Sequence, residues 1–196
     1  MLNVTARQEL MRTIVETLGV VVEEARLDFG EDGLSVRVVD PSHVAMIKMD
    51  VDSAAFETWE VDETKLGLEM RKMHQFLSVA GAGDMVELAY NDESGQATIH
   101  IGRIDLNLRP LDNSTLNPPN VPSLELPCGV TIGGSELAQA LRAAKLVGDL
   151  VNLSLTEDTF TVNVKGSTDS VNLDFTKDDL HAIDCKEAAR SQYSLT

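Results

Sequence analysis

Hydrophobic and polar positions alternate along most of the chain, a period of two that is typical of β-strands. This alternation, with its many β-branched residues, predicts strands at 2–6, 24–29, 34–39, 44–51, 54–60, 65–69, 85–90, 96–101, 103–110, 128–133, 151–155, 159–164, 170–175 and 181–184. Apolar residues recur at helical spacing in three segments, which predict helices at 7–20, 70–80 and 135–147. The pattern therefore indicates an α+β protein with few helices and many antiparallel strands.

One pattern of helix, strand, turn and strand occurs more than once. In residues 27–36 two short strands flank an acidic turn, and residues 153–162 show the same apolar positions 126 residues later. Each of these hairpins follows a predicted helix, and a third, weaker copy lies over 73–101. Internal repetition of this kind predicts a fold that is built from similar units.

A proline-rich stretch separates the two strong copies of the repeat. Four prolines lie within 117–127, which excludes a helix or a central strand there. We predict a first domain at 1–117, an extended connector at 118–127 and a second domain at 128–196. The second copy lacks the later helix and three strands of the first, so we expect a parent protein with about 50 further residues. A version that evolved shorter is the alternative.

The net charge is −16, from 32 acidic and 16 basic residues, which by itself argues against a nucleic-acid partner. Adaptation to a salty cell interior is another explanation of this acidity. The segments 70–83 and 137–148, however, contain no acidic residue. Six basic residues lie on the predicted helices, and these are Arg7, Arg12, Arg71, Lys72, Arg142 and Lys145. If the repeat surrounds an axis, these helices share a face that suits a phosphate backbone, whereas ordinary solvated helix faces are the alternative.

Candidate catalytic and metal-binding residues are sparse. The four histidines are dispersed without the spacing of metal ligands, and Cys128 and Cys185 lie too far apart in the sequence to suggest a site. We expect two free thiols, no metal, no cofactor and no enzymatic activity. The N-terminus does not resemble a signal peptide and no apolar run is long enough for a membrane span, so we expect a soluble, intracellular protein.

The segment 34–46, Leu-Ser-Val-Arg-Val-Val-Asp-Pro-Ser-His-Val-Ala-Met, closely resembles a strand–turn–strand of the archaeal and eukaryotic sliding clamp, the proliferating cell nuclear antigen (PCNA). Residues 55–59, 80–84 and 121–126 resemble further stretches of that family in the same order. The resemblance covers 2–196 and implies the DNA clamp fold, with repeated helix-plus-antiparallel-strand units in two similar domains, the second incomplete. Three subunits would close a homotrimeric ring whose interior is lined by helices.

The same resemblance implies a non-enzymatic processivity factor for DNA replication and repair. Such a ring encircles double-stranded DNA without regard to sequence and is opened by a clamp loader. It recruits DNA polymerase, flap endonuclease and DNA ligase through PCNA-interacting peptides. The location would be cytoplasmic and nucleoid-associated in an archaeon, or nuclear in a eukaryote. A checkpoint or decoy subunit with the same fold and different partners is the alternative, and a small intracellular enzyme is a remote one.

The resemblance also assigns roles to individual residues. The partner-peptide pocket falls on Val39, His43, Val44, Met46, Val121 and Pro122. Arg142 falls on a DNA-facing position and Arg12 and Lys72 at or beside such positions, whereas Gly19 and Ser78 occupy positions that are lysine in many relatives. Subunit contact would pair 104–111 with 170–176, where Leu106, Leu108, Val171 and Leu173 supply the apolar alternation.

Overall fold

The computed structural model describes residues 1–195. The chain divides into two compact units, Met1–Pro122 and Ser123–Thr196, and the division falls within the proline-rich connector. Each unit contains two antiparallel sheets and at least one helix. The α+β class inferred from the alternation is confirmed, because helices are few and every strand pairing is antiparallel.

The first unit contains nine strands, two α-helices and a short 3-10 helix. In chain order they are β1 (Leu2–Arg7), α1 (Gln8–Gly19), β2 (Glu24–Phe29), β3 (Gly33–Val39), β4 (Met46–Asp52), the 3-10 helix Ser53–Ala55, β5 (Thr58–Val61), β6 (Thr64–Glu69), α2 (Met70–Leu77), β7 (Met85–Asn91), β8 (Gln96–Ile101) and β9 (Ile104–Leu108). The two sheets have the strand orders β5-β1-β7-β8-β9 and β4-β3-β2-β6.

The described part of the second unit contains six strands and one helix. They are β10 (Cys128–Thr131), α3 (Gly134–Lys145), β11 (Leu150–Leu155), β12 (Thr159–Lys165), β13 (Ser170–Thr176), β14 (Ala182–Cys185) and β15 (Ala189–Ser194). The strand orders are β13-β12-β11-β15 and β10-β14. The four-stranded sheet matches that of the first unit strand for strand, with β15 beside β11 as β6 lies beside β2.

Alternation along the strands directs one face of each sheet into a core. In β3, Leu34, Val36 and Val38 are buried while the residues between them are half-buried. The helices bury residues at three- and four-residue spacing, as Ile14 and Leu18 do in α1, and α1 packs against α2. The opposite side of each helix is left to solvent, and that is where the basic residues of the helices lie.

Two predicted elements differ from those of the structure, and one strand was not predicted. The predicted strand 54–60 is instead the short 3-10 helix followed by β5, because the Asp52 carboxylate accepts a hydrogen bond from the Ala54 amide and caps that helix. The helix predicted to 80 ends at Leu77, where the Ser78 hydroxyl donates to the Gln75 carbonyl. Strand β15 was not predicted, because its sequence is polar and largely exposed and shows little alternation.

The expectation of two free thiols was also wrong. Cys128 and Cys185 form a disulfide, and no free cysteine occurs among residues 1–195. The two cysteines are 57 residues apart in sequence but directly opposite each other in the β10–β14 pair. Their proximity depends on a long-range strand pairing, which residue spacing does not reveal.

Candidate functional site

The turn between β3 and β4 is held by one carboxylate. Asp40 Oδ1 accepts hydrogen bonds from the amides of Val44 (2.7 Å) and Ala45 (2.6 Å), and Oδ2 accepts one from the Ser42 amide (2.9 Å). The backbone closes the same turn, since the Asp40 amide donates to the Ala45 carbonyl at 2.9 Å. The Ala45 amide, ahead of those of Val44 and Ser42, lowers the pKa of Asp40, so the carboxylate stays ionised and the turn stays closed.

This turn presents side chains to solvent. His43 has φ = 57°, in the left-handed region that histidine adopts more readily than most residues. Val44 is 86% exposed, which is unusual for an aliphatic side chain on so well-bonded a turn. Met46 is 38% exposed and opposes Val39 across the β3–β4 pair. Four of the six residues predicted for the peptide pocket therefore lie together around one rigid turn.

A groove of about 170 Å³ runs beside this turn. One wall includes Val38 and Val39, and the other is the extended segment 115–119, which the sequence analysis did not assign to the pocket. Val121 and Pro122 follow that segment and are exposed. Val39 thus lines the groove with residues 115–119. The two connector residues predicted for the pocket, Val121 and Pro122, come later in the chain and do not line the groove.

The basic residues on one side of the first unit are partly neutralised. Arg7, which was predicted to lie on the first helix, is instead the last residue of β1, and its Nε lies 3.7 Å from Glu57 Oε1. Arg12 Nε donates to Glu16 Oε1 at 2.7 Å, and His74 Nε2 lies 3.1 Å from the same oxygen, so Glu16 links α1 to α2. The pKa of Glu16 is lowered, mainly by Arg12 and then by His74. Arg12 and Glu16 are four residues apart, so their pairing could be inferred from helical spacing, but the contact with His74 could not.

The other predicted cations lack ionic partners. Within residues 1–195 no ion pair involves Arg71 or Lys72 on α2, although Lys72 Nζ lies 5.9 Å from the centre of the Phe76 ring. In the second unit Arg142 and Lys145 are exposed in the last turn of α3 and are likewise unpaired in the described part of the chain. Cations at this end of a helix are favoured by its dipole.

The strands predicted for subunit contact lie at sheet edges. β9 is one edge of the five-stranded sheet, and β13 is one edge of the four-stranded sheet in the second unit. Leu106, Val171 and Leu173 are half-buried, whereas Leu108 is 8% exposed and packs into the core of its own unit. Leu108 therefore offers its backbone, rather than its side chain, to a partner strand.

The described residues contain neither a metal-binding cluster nor a membrane-spanning helix. No group of three or more His, Cys, Asp or Glu side chains there could hold a metal ion. No helix among residues 1–195 is both long and apolar enough to cross a membrane. The features that stand out are therefore the turn with its groove, the helix faces and the two sheet edges.

The sequence matches a protein-family model over its first half. It describes the N-terminal domain of proliferating cell nuclear antigen and matches residues 1–105. A DNA polymerase sliding clamp from Methanococcoides burtonii is 36% identical over 197 residues, covering 100% of this chain and 80% of the relative. One from Methanosarcina barkeri is 34% identical over 196 residues with the same coverage.

The structure is also similar to solved structures of PCNA. PCNA from A. fulgidus, solved with the C-terminal region of FEN-1 bound, superposes with a TM-score of 0.95 and 30% identity, covering 100% of this chain and 80% of that one. PCNA from Thermococcus kodakaraensis superposes with a TM-score of 0.91, covering 100% of this chain and 82% of that one. Its identity is 21%, so this second likeness concerns the fold alone.

Proposed function

Because the chain belongs to the PCNA family of DNA polymerase sliding clamps, we propose that it is a ring subunit that encircles duplex DNA and keeps a polymerase on its template. The observation that carries this proposal is that four basic side chains are exposed and make no ion pair in the described residues, although the net charge of the chain is −16. Arg71, Lys72, Arg142 and Lys145 lie on exposed helix faces without an ion pair in residues 1–195. Unpaired cations of this kind attract a phosphate backbone without reading sequence.

The chemistry of these helix faces suits sliding better than tight binding. The cations are few, and on α1 the carboxylate of Glu16 competes with DNA for Arg12. Each phosphate contact is weak and screened by salt, so contact with the duplex breaks and reforms easily. A ring topology, rather than affinity, would then keep the protein on DNA, and no catalytic group is required for that role.

Charge reversal tests this reading directly. Lys72→Glu and Arg142→Glu should each lower the length of DNA that a polymerase synthesises per binding event on a primed circular template. Lys65→Glu is the matched control, because Lys65 is exposed, makes no ion pair within residues 1–195 and lies on a strand rather than on a helix. Unchanged processivity in both helix variants would remove these residues from the DNA-facing surface.

We also propose that the turn 40–45 and its groove bind peptides from DNA polymerase, the clamp loader, flap endonuclease and DNA ligase. The exposed Val44, on a turn that Asp40 holds closed, provides a preformed apolar contact. The A. fulgidus relative has been solved with the C-terminal region of FEN-1 bound, which supports the recruitment of a partner peptide by this chain. Val44→Ala and Pro122→Ala should weaken a polymerase-tail peptide in titration calorimetry, and undiminished binding would move the site elsewhere.

We propose, thirdly, that β9 of one copy pairs with β13 of the next, which would give a homotrimer. Both strands are edges with unpaired backbone groups among residues 1–195. Sedimentation equilibrium measures the stoichiometry. A trimer supports the ring, and a stable monomer that does not associate with circular DNA would instead favour a clamp-like subunit of another role. We propose, finally, that the protein acts inside the cell where the DNA lies, which is the nucleoid of an archaeon or the nucleus of a eukaryote.

A further inference from the structure

Three basic side chains form a row across the outward face of the β4-β3-β2-β6 sheet. The β3–β4 register sets Arg37 opposite Lys48. Leu27 opposes Val36 in the β2–β3 register, so Arg26 lies beside Arg37 at the next position. Leu27 and Val36 are buried, and alternation therefore directs the three basic residues to the other face. We call Arg26, Arg37 and Lys48 the basic row.

The central member of the basic row makes no ion pair in the described part of the chain. Arg26 makes two hydrogen bonds to Asp28, at 2.8 and 3.0 Å, and Lys48 pairs with Asp50 at 2.6 Å. Arg37 makes no ion pair within residues 1–195, and the acid whose pKa it helps to lower, Asp50, is already held by Lys48. Because Arg26 and Lys48 are each paired with a carboxylate, Arg37 is the member of the basic row whose guanidinium donors are left for an added anion.

The basic row borders the groove beside the β3–β4 turn. Arg26 and Arg37 line it together with Val39 and the segment 115–119, and Glu24 is the one acidic residue in the lining. Val39 opposes Met46, and both are candidate peptide-pocket residues. A strand advances about 3.4 Å per residue, so Arg37 lies about 7 Å along β3 from Val39. The cation is thus within one or two peptide residues of the apolar pocket.

We propose that Arg37, flanked by Arg26 and Lys48, binds a carboxylate of the partner peptide immediately beside its apolar plug, and so selects partners with an acidic residue there. This inference rests on the proposed peptide site. A guanidinium offers a planar fork of donors that matches a carboxylate, and charge-assisted bonds of this kind are stronger than neutral ones. In a chain of net charge −16, a local cation beside the pocket also opposes the general repulsion of acidic peptides.

The test compares peptides that differ only at the flanking positions. Each carries one leucine and two phenylalanines as the plug, with serine or aspartate placed one to three residues before or after it. Titration calorimetry with the full 196-residue chain should show at least one aspartate peptide binding roughly three- to tenfold more tightly than the serine peptide, with a gain that shrinks at high salt.

Variants identify the side chain responsible. Arg37→Gln should abolish the gain for aspartate, so that the aspartate and serine peptides bind this variant with equal affinity. Arg37→Lys should keep part of the gain, because it keeps the charge but loses the fork. Lys65→Gln is the matched control: Lys65 is exposed on the same sheet, in β6, but does not line the groove, so its loss should leave the gain intact. Equal unfolding temperatures of the three variants establish that each is folded.

The outcomes separate this inference from the peptide site itself. If the serine peptide binds but aspartate gives no gain, or the gain survives in Arg37→Gln, the selective role of Arg37 is wrong and the pocket stands. If neither peptide binds, both proposals are wrong. If the gain disappears equally in Lys65→Gln, the effect is general attraction by the sheet and the assignment to Arg37 is wrong.

Discussion

The two units share one repeat but differ in what covers their helices. At an offset of 126 residues, the buried face of α1 matches that of α3 position for position: Met11, Ile14, Val15 and Leu18 against Leu137, Ala140, Leu141 and Ala144. In α1 all four are buried, and α2, β1 and β7 pack around them. In α3 the two alanines are buried against the sheet while the two leucines remain half-buried.

The strands show the same contrast. β1 lies between β5 and β7, whereas its counterpart β10 pairs with β14 alone in the described residues. The second unit has a covalent link at this place, because the disulfide joins β10 to β14. The repeat thus gives the two four-stranded sheets the same strand order. Within the described residues the first unit is held by a larger buried apolar core, and the second has a covalent cross-link as well as its smaller core.

The largest expected effect concerns that cross-link. The double change Cys128→Ser and Cys185→Ser should destabilise the second unit by about 4 kcal/mol, the chain-entropy value for residues 57 apart in sequence. Hydrogen exchange read by mass spectrometry should show faster exchange over 128–194 and little change over 1–122. Equal acceleration of exchange in both units would contradict a stabilising effect of the disulfide that is specific to the second unit.

The next effect concerns the helix cores. Leu18 is fully buried in α1, so Leu18→Ala should lower the free energy of unfolding of the first unit by about 3 kcal/mol. Leu141→Ala in α3 is the matched change at a half-buried position and should cost about half as much. Chemical denaturation followed by tryptophan fluorescence reports the first unit through Trp59, and far-ultraviolet circular dichroism reports both. Equal costs would show that α3 is covered as well as α1.

A third comparison sets the turn 40–45 against its counterpart 166–169. Both turns have a closing backbone bond, from the Asp40 amide to the Ala45 carbonyl and from the Gly166 amide to the Asp169 carbonyl, but in the first the Asp40 carboxylate accepts three further amide bonds. The folded pKa of Asp40 lies below its usual 3.8. Its stabilisation is therefore complete above that value and is lost as the pH falls through the lower folded pKa.

Amide chemical shifts measure this difference by NMR. The Val44 and Ala45 amides should titrate with a midpoint below 3.8, while the Gly166 amide should not follow them. Asp40→Asn should abolish the titration and weaken partner-peptide binding, because the turn is no longer fixed. A midpoint at or above 3.8 would contradict the role given to the carboxylate.

Much of the fold was predictable because alternation, helical spacing and the repeat are local signals. Residues 24–29 and 96–101 were predicted to the residue, and the family resemblance followed from motifs in order. Strand β15 was missed because a polar strand at an exposed edge carries little hydrophobic signal. The disulfide was missed because it depends on a pairing across 57 residues.

Only part of the candidate site was predictable from the sequence. The turn residues lie within one local motif, so His43 and Val44 could be singled out from sequence. The groove wall at 115–119 and the isolation of Arg37 could not, because both depend on which distant segment or charge comes close in the folded chain. Position on an outward face and pairing with a near neighbour in sequence follow from the sequence pattern, whereas contacts between distant segments follow only from the folded chain.

The smallest expected effect compares the cations of the two units. Arg12 is tied to Glu16, while Arg142 has no ion pair within residues 1–195. Arg142→Gln should therefore reduce the slope of log affinity for duplex DNA against log salt by about 1, and Arg12→Gln by clearly less. Glu16→Gln should release Arg12 and raise the slope slightly, with unfolding temperature as the control for folding. Equal slopes for Arg12→Gln and Arg142→Gln would mean that Glu16 gives up Arg12 whenever a phosphate approaches. The helix faces of the two units would then be electrostatically equivalent on DNA, although their ion pairs differ in the free protein.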